Sequence, residues 1–176
     1  MQYFNELQRT MAWLGQQEKT FFVGQTVDCP GTFMYPTLNG VPTKKRLEFP
    51  VNESFQLQFS IGLALAGYVP ISIYPRQNFL LLATADMVNM LDKIPAISNN
   101  KIIPHIIIRV ASGPYKPIHP GHQHIGNYAE AFKRMFNEII VLELDEPEEI
   151  FSVYESAYKN PASYLIIEHG NNYNDK

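Results

Sequence analysis

Two hydrophobic periods alternate along this chain, and that alternation narrows the folds open to it more than any other property. Phe4, Leu7, Met11 and Leu14 recur at helical spacing, so positions 3–16 read as an amphipathic helix. Thr20-Phe21-Phe22-Val23, closed by Gly24, is a short apolar run of the kind that forms a buried strand. Similar runs occur at Leu47–Phe49, Val69–Tyr74, Ile106–Val110, Ile139–Leu142 and Tyr164–Ile167, with helical patterns at 79–92, 127–137 and 146–159 between them. Strands that are apolar throughout, rather than alternately polar, belong to a sheet covered on both faces. The expected architecture is therefore α/β and doubly wound, with a mostly parallel six-stranded sheet and helices on both faces.

Positions 55–66 conflict with this simple pattern. Phe55, Leu57, Phe59, Ile61, Leu63 and Leu65 alternate with a strand's period. The run is longer than an ordinary strand and contains no turn signal, so it reads as a helix. Such a helix is expected to be buried almost all round, with the small residues Gly62 and Ala66 pressed against another backbone.

The chain has 176 residues, 45% of them hydrophobic and 12% aromatic, with a net charge of −3. This composition suits one folded domain over 1–176 and excludes a disordered chain. With 14 basic against 17 acidic side chains, it has no electrostatic footprint for nucleic acid. The lone Cys29 cannot form an intrachain disulfide, there is no signal-like N-terminus, and no apolar run reaches membrane-spanning length. A reducing cytoplasm is the expected compartment. The dinucleotide, Walker, serine-hydrolase and zincin motifs are all absent.

Two segments exceed ordinary connections, 25–45 and 111–126, and both should leave from the carboxyl edge of the sheet, where open α/β sheets bind ligands. The second holds His119-Pro-Gly-His122-Gln-His124. These imidazoles could form an incomplete metal site, a polar surface loop, or a set facing a ligand cleft. Glu53 follows the run at 47–49 and opens the helix, with Asn52 placed to cap it. A helix-start carboxylate explains it without any function. Cys29 paired with a histidine would be a candidate nucleophile.

Longer stretches carry a family resemblance. Leu47-Glu-Phe-Pro-Val-Asn-Glu53-Ser-Phe-Gln-Leu-Gln-Phe-Ser-Ile-Gly62-Leu-Ala-Leu-Ala-Gly67-Tyr-Val-Pro70-Ile resembles the pyrimidine-binding, transketolase-like domain of thiamine-diphosphate enzymes. It is most similar to the beta subunit of the 2-oxo-acid dehydrogenase first component. Asn78-Phe79 falls at the family's offset, and Tyr164-Leu-Ile-Ile-Glu-His169 resembles its closing strand.

The resemblance implies that Glu53 hydrogen-bonds the cofactor's aminopyrimidine N1′, which promotes deprotonation of the thiazolium carbon and lets the cofactor act as an electron sink. It further implies that Phe79 stacks on the pyrimidine, that Gln25 occupies a cofactor-side position held by an acid in the family, and that His124 or His122 faces the substrate as a proton carrier. Gln123-His124 resembles the beta subunit's motif and Pro120-Gly-His122-Gln123 that of transketolase; His124 aligns better with the following helix. The family's glycines after the glutamate are here Phe55 and Gln58, and its magnesium- and diphosphate-binding Gly-Asp-Gly is absent. The resemblance therefore implies a subunit completed by a diphosphate-binding partner chain that holds Mg, as a homodimer or heterotetramer, in an enzyme acting on a 2-oxo acid or a ketose. The opposing expectation is an interaction module that keeps the fold without the cofactor.

Overall fold

The computed structural model describes residues 2–116 and 119–174. Its centre is one sheet of six strands, all parallel: β1 (Thr20–Gly24), β2 (Arg46–Glu48), β3 (Val69–Tyr74), β4 (Ile107–Ser112), β5 (Ile140–Leu144) and β6 (Tyr164–His169). The strand order is β2-β1-β3-β4-β6-β5. Because side chains alternate across a strand, the continuous apolar runs supply two cores. Phe22, Ile71, Ile73, Ile107 and Ile166 face α1 (Tyr3–Gln16), α7 (Pro147–Lys159) and the 25–45 segment. Tyr74, Ile108, Val110, Leu165 and Ile167 face α2 (Glu53–Leu65), the 77–97 segment and α6 (Ala129–Met135). The doubly wound expectation holds, and the sheet is parallel throughout.

Local chemistry sets the boundaries of α2. Asn52 Oδ1 accepts the Phe55 N–H at 3.0 Å, and Gly67, at φ +89°, turns the chain so that Tyr68 N–H reaches the Leu63 carbonyl at 3.0 Å. The helical reading of 55–66 is correct, but burial all round is not. Gln56, Leu57, Ser60 and Ile61 face the sheet, whereas Phe55 and Leu65 are 47% and 53% exposed. Gly62 has nothing within 4 Å of where a Cβ would stand, so no backbone packs on it among the described residues.

The single helix expected at 79–92 is broken. It comprises α3 (Gln77–Leu80), a 3₁₀ turn, α4 (Thr84–Asp86), a π turn at Met87–Leu91, and, after a turn, α5 (Ile94–Ile97). The long 25–45 connection is also less irregular than its composition suggests. It contains 3₁₀ turns at Tyr35–Leu38 and Thr43–Lys45 and buries Val27, Met34, Leu38 and Val41. Glu48 anchors its start by accepting backbone N–H groups from Thr26, Val27 and Asp28 at 2.6–2.9 Å.

Candidate functional site at the carboxyl edge of the sheet

The chain runs from β1 outward to β2 along one face, then returns under the other face through α2 to β3, on the opposite side of β1. The carboxyl ends of β1 and β3 therefore flank a topological switch point, the place where open α/β sheets bind ligands. The two strands approach closely there: a Cβ on Gly24 would lie 2.5 Å from the Ile73 carbonyl oxygen. Gln25 follows β1 directly, and α2 brings its first residue, Glu53, beside it.

Glu53 is only 4% exposed. Its Oε1 accepts a hydrogen bond from Gln25 Nε2 at 3.2 Å, and its backbone carbonyl accepts one from the Tyr74 hydroxyl, also at 3.2 Å. Burial pushes the Tyr74 phenol up, and the Glu53 charge adds to this, so Tyr74 is a standing donor. Among the described residues Oε2 of Glu53 has no hydrogen-bond partner. A buried carboxylate with one oxygen held and the other open can share a proton with a ring nitrogen brought to it.

The second half of the site lies beyond β3 and β4. Phe79, half-buried in α3, meets His124 edge-on, with ring centroids 5.5 Å apart. His124 is half-buried and its Nδ1 atom is buried without a partner. His122 and His119 are exposed and pack against each other, with centroids 5.6 Å apart. The structure thus separates the three histidines: His124 faces the Phe79 side, and His122 does not. Among the described residues no group of three or more His, Cys, Asp or Glu side chains is placed to hold a metal ion, so the histidine-loop metal site is not assembled. Cys29 is exposed; partial desolvation, then Glu48 and Asp28, push its thiol up, which opposes a nucleophilic role.

Two residues that build the site are not among the sequence candidates. Arg76 donates through Nη1 to the Gly113 and His124 carbonyls at 2.7 and 3.1 Å, which closes the histidine loop on itself. Gln77, fully buried, accepts the Tyr128 N–H at 2.6 Å and donates to Asn127 Oδ1 at 3.2 Å, which fixes the loop's exit. Their signal in sequence is a lone cation and an amide directly after an apolar strand. Only their long-range partners make that signal meaningful.

Gln25, Glu53, Phe79 and His124 offer the kinds of group an aminopyrimidine would need, an open carboxylate oxygen, an aromatic face and an unpartnered imidazole nitrogen, at the carboxyl edge of the sheet. No direct hydrogen bond joins Glu53 to Phe79 or the histidine loop among the described residues.

No protein-family model matches the chain, and no curated protein sequence matches it. Solved structures do. A split-gene transketolase, solved as an inactive β4 tetramer, superposes with a TM-score of 0.72 over 94% of this chain at 13% identity. A Mycobacterium smegmatis protein proposed to be a thiamin diphosphate-dependent enzyme superposes with a TM-score of 0.65 over 100% of this chain at 14% identity. The chain spans 50% of the first structure and 32% of the second. At these identities the likeness establishes the fold, that of a transketolase-like α/β domain. Among the described residues no helix is long and apolar enough to cross a membrane.

Proposed function

We propose that this chain is the pyrimidine-binding subunit of a split thiamine-diphosphate-dependent enzyme, of the 2-oxo-acid dehydrogenase beta type or transketolase-like, that acts on a 2-oxo acid or a ketose. The observation that carries this reading is Glu53: a buried carboxylate at the switch point, oriented by Gln25, with one oxygen unpartnered. The bound cofactor would supply an electron sink for cleavage next to a carbonyl. In this chain Glu53 would hold a proton against the pyrimidine, Phe79 would cover the ring face, and the His124 imidazole would exchange a proton with substrate. Gln25, a neutral amide where the family has an acid, donates to Glu53 Oε1 and leaves Oε2 free to face the pyrimidine.

The partner would supply the diphosphate and magnesium half, since no Gly-Asp-Gly occurs in these residues. The exposed apolar face of α2 is where such a chain would dock. Phe55 and Leu65 are joined there by Val51 and Phe59, at 82% and 36% exposure. A split transketolase with the same fold is in keeping with a subunit of this kind.

The test is reconstitution with a chain that carries Gly-Asp-Gly, followed by calorimetry with thiamine diphosphate and Mg and by turnover of a 2-oxo acid. Cofactor heat is expected only for the pair, and Glu53→Gln should lower turnover by about 10²-fold or more. Unchanged turnover in that variant removes the role of Glu53. No cofactor heat with any partner leaves the interaction module as the reading.

A further inference from the structure

Arg76 is the half-buried arginine that leaves guanidinium donors unused among the described residues. Arg109 pairs with Glu168, and Arg46 directs all three of its guanidinium nitrogens at carbonyls of the 25–45 segment. Arg76 behaves differently. Both hydrogens of Nη1 are taken, by the Gly113 and His124 carbonyls. Nε and Nη2 bond nothing among the described residues, and no carboxylate there lies within ion-pair distance. The guanidinium carbon stands 5.5 Å from the Phe33 ring centroid, which supports one side of its plane. Burial alone lowers its pKa, with no neighbouring acid to restore it.

The free edge is chemically specific. Nε–H and the neighbouring Nη2–H form a fork that meets two oxygens of one planar anion, a geometry lysine cannot reproduce. Arg76 stands on the turn that carries Phe79, whose N–H donates to the Arg76 carbonyl at 3.1 Å, and its Nη1 holds the His124 carbonyl at 3.1 Å, so the open edge belongs to the same turn. We infer that the Nε/Nη2 edge of Arg76 is an oxyanion seat beside Phe79 and the histidine loop, which receives the carboxylate or phosphate of an anionic substrate. The carbonyl clamp on Nη1 makes the seat rigid in advance, so little side-chain freedom is lost when an anion arrives. Only the word "substrate" rests on the functional reading above; the anion seat itself stands on the geometry of Arg76.

The experiment therefore uses this chain alone, without cofactor or partner. Arginine Nε–H resonances of ¹⁵N-labelled protein are followed during titration with pyruvate, with its uncharged methyl ester, and with inorganic phosphate. A saturable shift of the Arg76 resonance with pyruvate but not with the ester identifies a carboxylate seat. Saturation with phosphate and not pyruvate identifies a phosphate seat. Arg76→Lys should bind the effective anion about tenfold or more weakly, because the two-point fork is lost. The wild-type titration needs no variant to fold. Absence of a saturable shift with both anions, or an equal shift with the ester, overturns the inference. A positive titration beside a failed cofactor experiment would leave the oxyanion seat intact and remove only the thiamine-diphosphate reading.

Discussion

Arg109 and Glu168 show how much of a residue's role depends on what it meets. Their fully buried side chains form a two-point pair at 2.7 and 2.9 Å between β4 and β6. The Tyr154 hydroxyl donates to Glu168 at 2.6 Å, and the Tyr173 hydroxyl donates to its other oxygen. Burial alone would lower the guanidinium's pKa; Glu168 more than reverses this and holds it well above the usual value. Removing one member leaves the other charge stranded. Arg109→Met should cost about 3–5 kcal/mol in chemical denaturation, and adding Glu168→Gln should recover more than half of it. A single-variant loss below about 1 kcal/mol would show that the pair does not hold the strand ends together. Both charges are visible in sequence as breaks in apolar runs, Ile-Ile-Ile-Arg109 and Leu-Ile-Ile-Glu168. Their pairing is invisible there, because 59 positions separate them and strand order alone brings them side by side. Glu53 differs: its place at the head of a capped helix could be read locally, while its Gln25 and Tyr74 partners could not.

At the scale of elements, local periodicity succeeded where one face of a helix decides its fate and failed where several neighbours share the decision. α1 and α7 follow the pattern because their apolar stripes meet each other and the sheet: Trp13 packs edge-on against Phe151 and Tyr158, at 5.2 and 5.7 Å. Positions 79–92 are legible as helical but not as broken, since the breaks in this segment answer to contacts elsewhere. Asp92 is the clearest of these. Its Oδ1 accepts N–H groups from Asn137, Glu138 and Ile139 at 2.8–3.2 Å, and Lys93 pairs with its other oxygen at 2.7 Å. Burial alone would raise the carboxyl's pKa, but Lys93 and the backbone donors outweigh it and hold the value below the usual carboxylate range. A depressed folded value contributes stability that is complete above the unfolded pKa of about 3.9 and is lost as pH falls through the folded value. Denaturation midpoints measured from about pH 5 downward should therefore decline. Asp92→Asn, which keeps the acceptor but not the charge, should flatten that decline. An unchanged acid limb would show that Asp92 does not set it.

For the molecule as a whole, the six parallel strands bring the ends of four distant segments to one edge, and a second surface remains uncovered beside it. The α2 face that carries Phe55, Phe59 and Leu65 adjoins Phe49, whose ring lies 5.3 and 4.9 Å from those of Phe55 and Phe59. Contiguous exposed apolar area of this kind marks interaction surfaces more often than solvated helix faces, which is why the proposed partner is placed here. Mixed with a chain carrying Gly-Asp-Gly, the wild type should sediment as a larger complex and Phe59→Asp as an uncomplexed chain. A variant that still assembles would place the interface elsewhere.

What the amino-acid order determined by itself was the alternation of buried strands with helices, the N-cap of α2, and the set of residues able to carry chemistry. Those properties are local, since they depend on side-chain period and on neighbours within a turn or two. Tertiary structure alone decided that β1 and β3 flank the switch point, that His124 rather than His122 meets Phe79, and that Arg76 keeps one edge open. Each of these depends on groups far apart in sequence and on strand order, and no local period records which strand a strand will pair with.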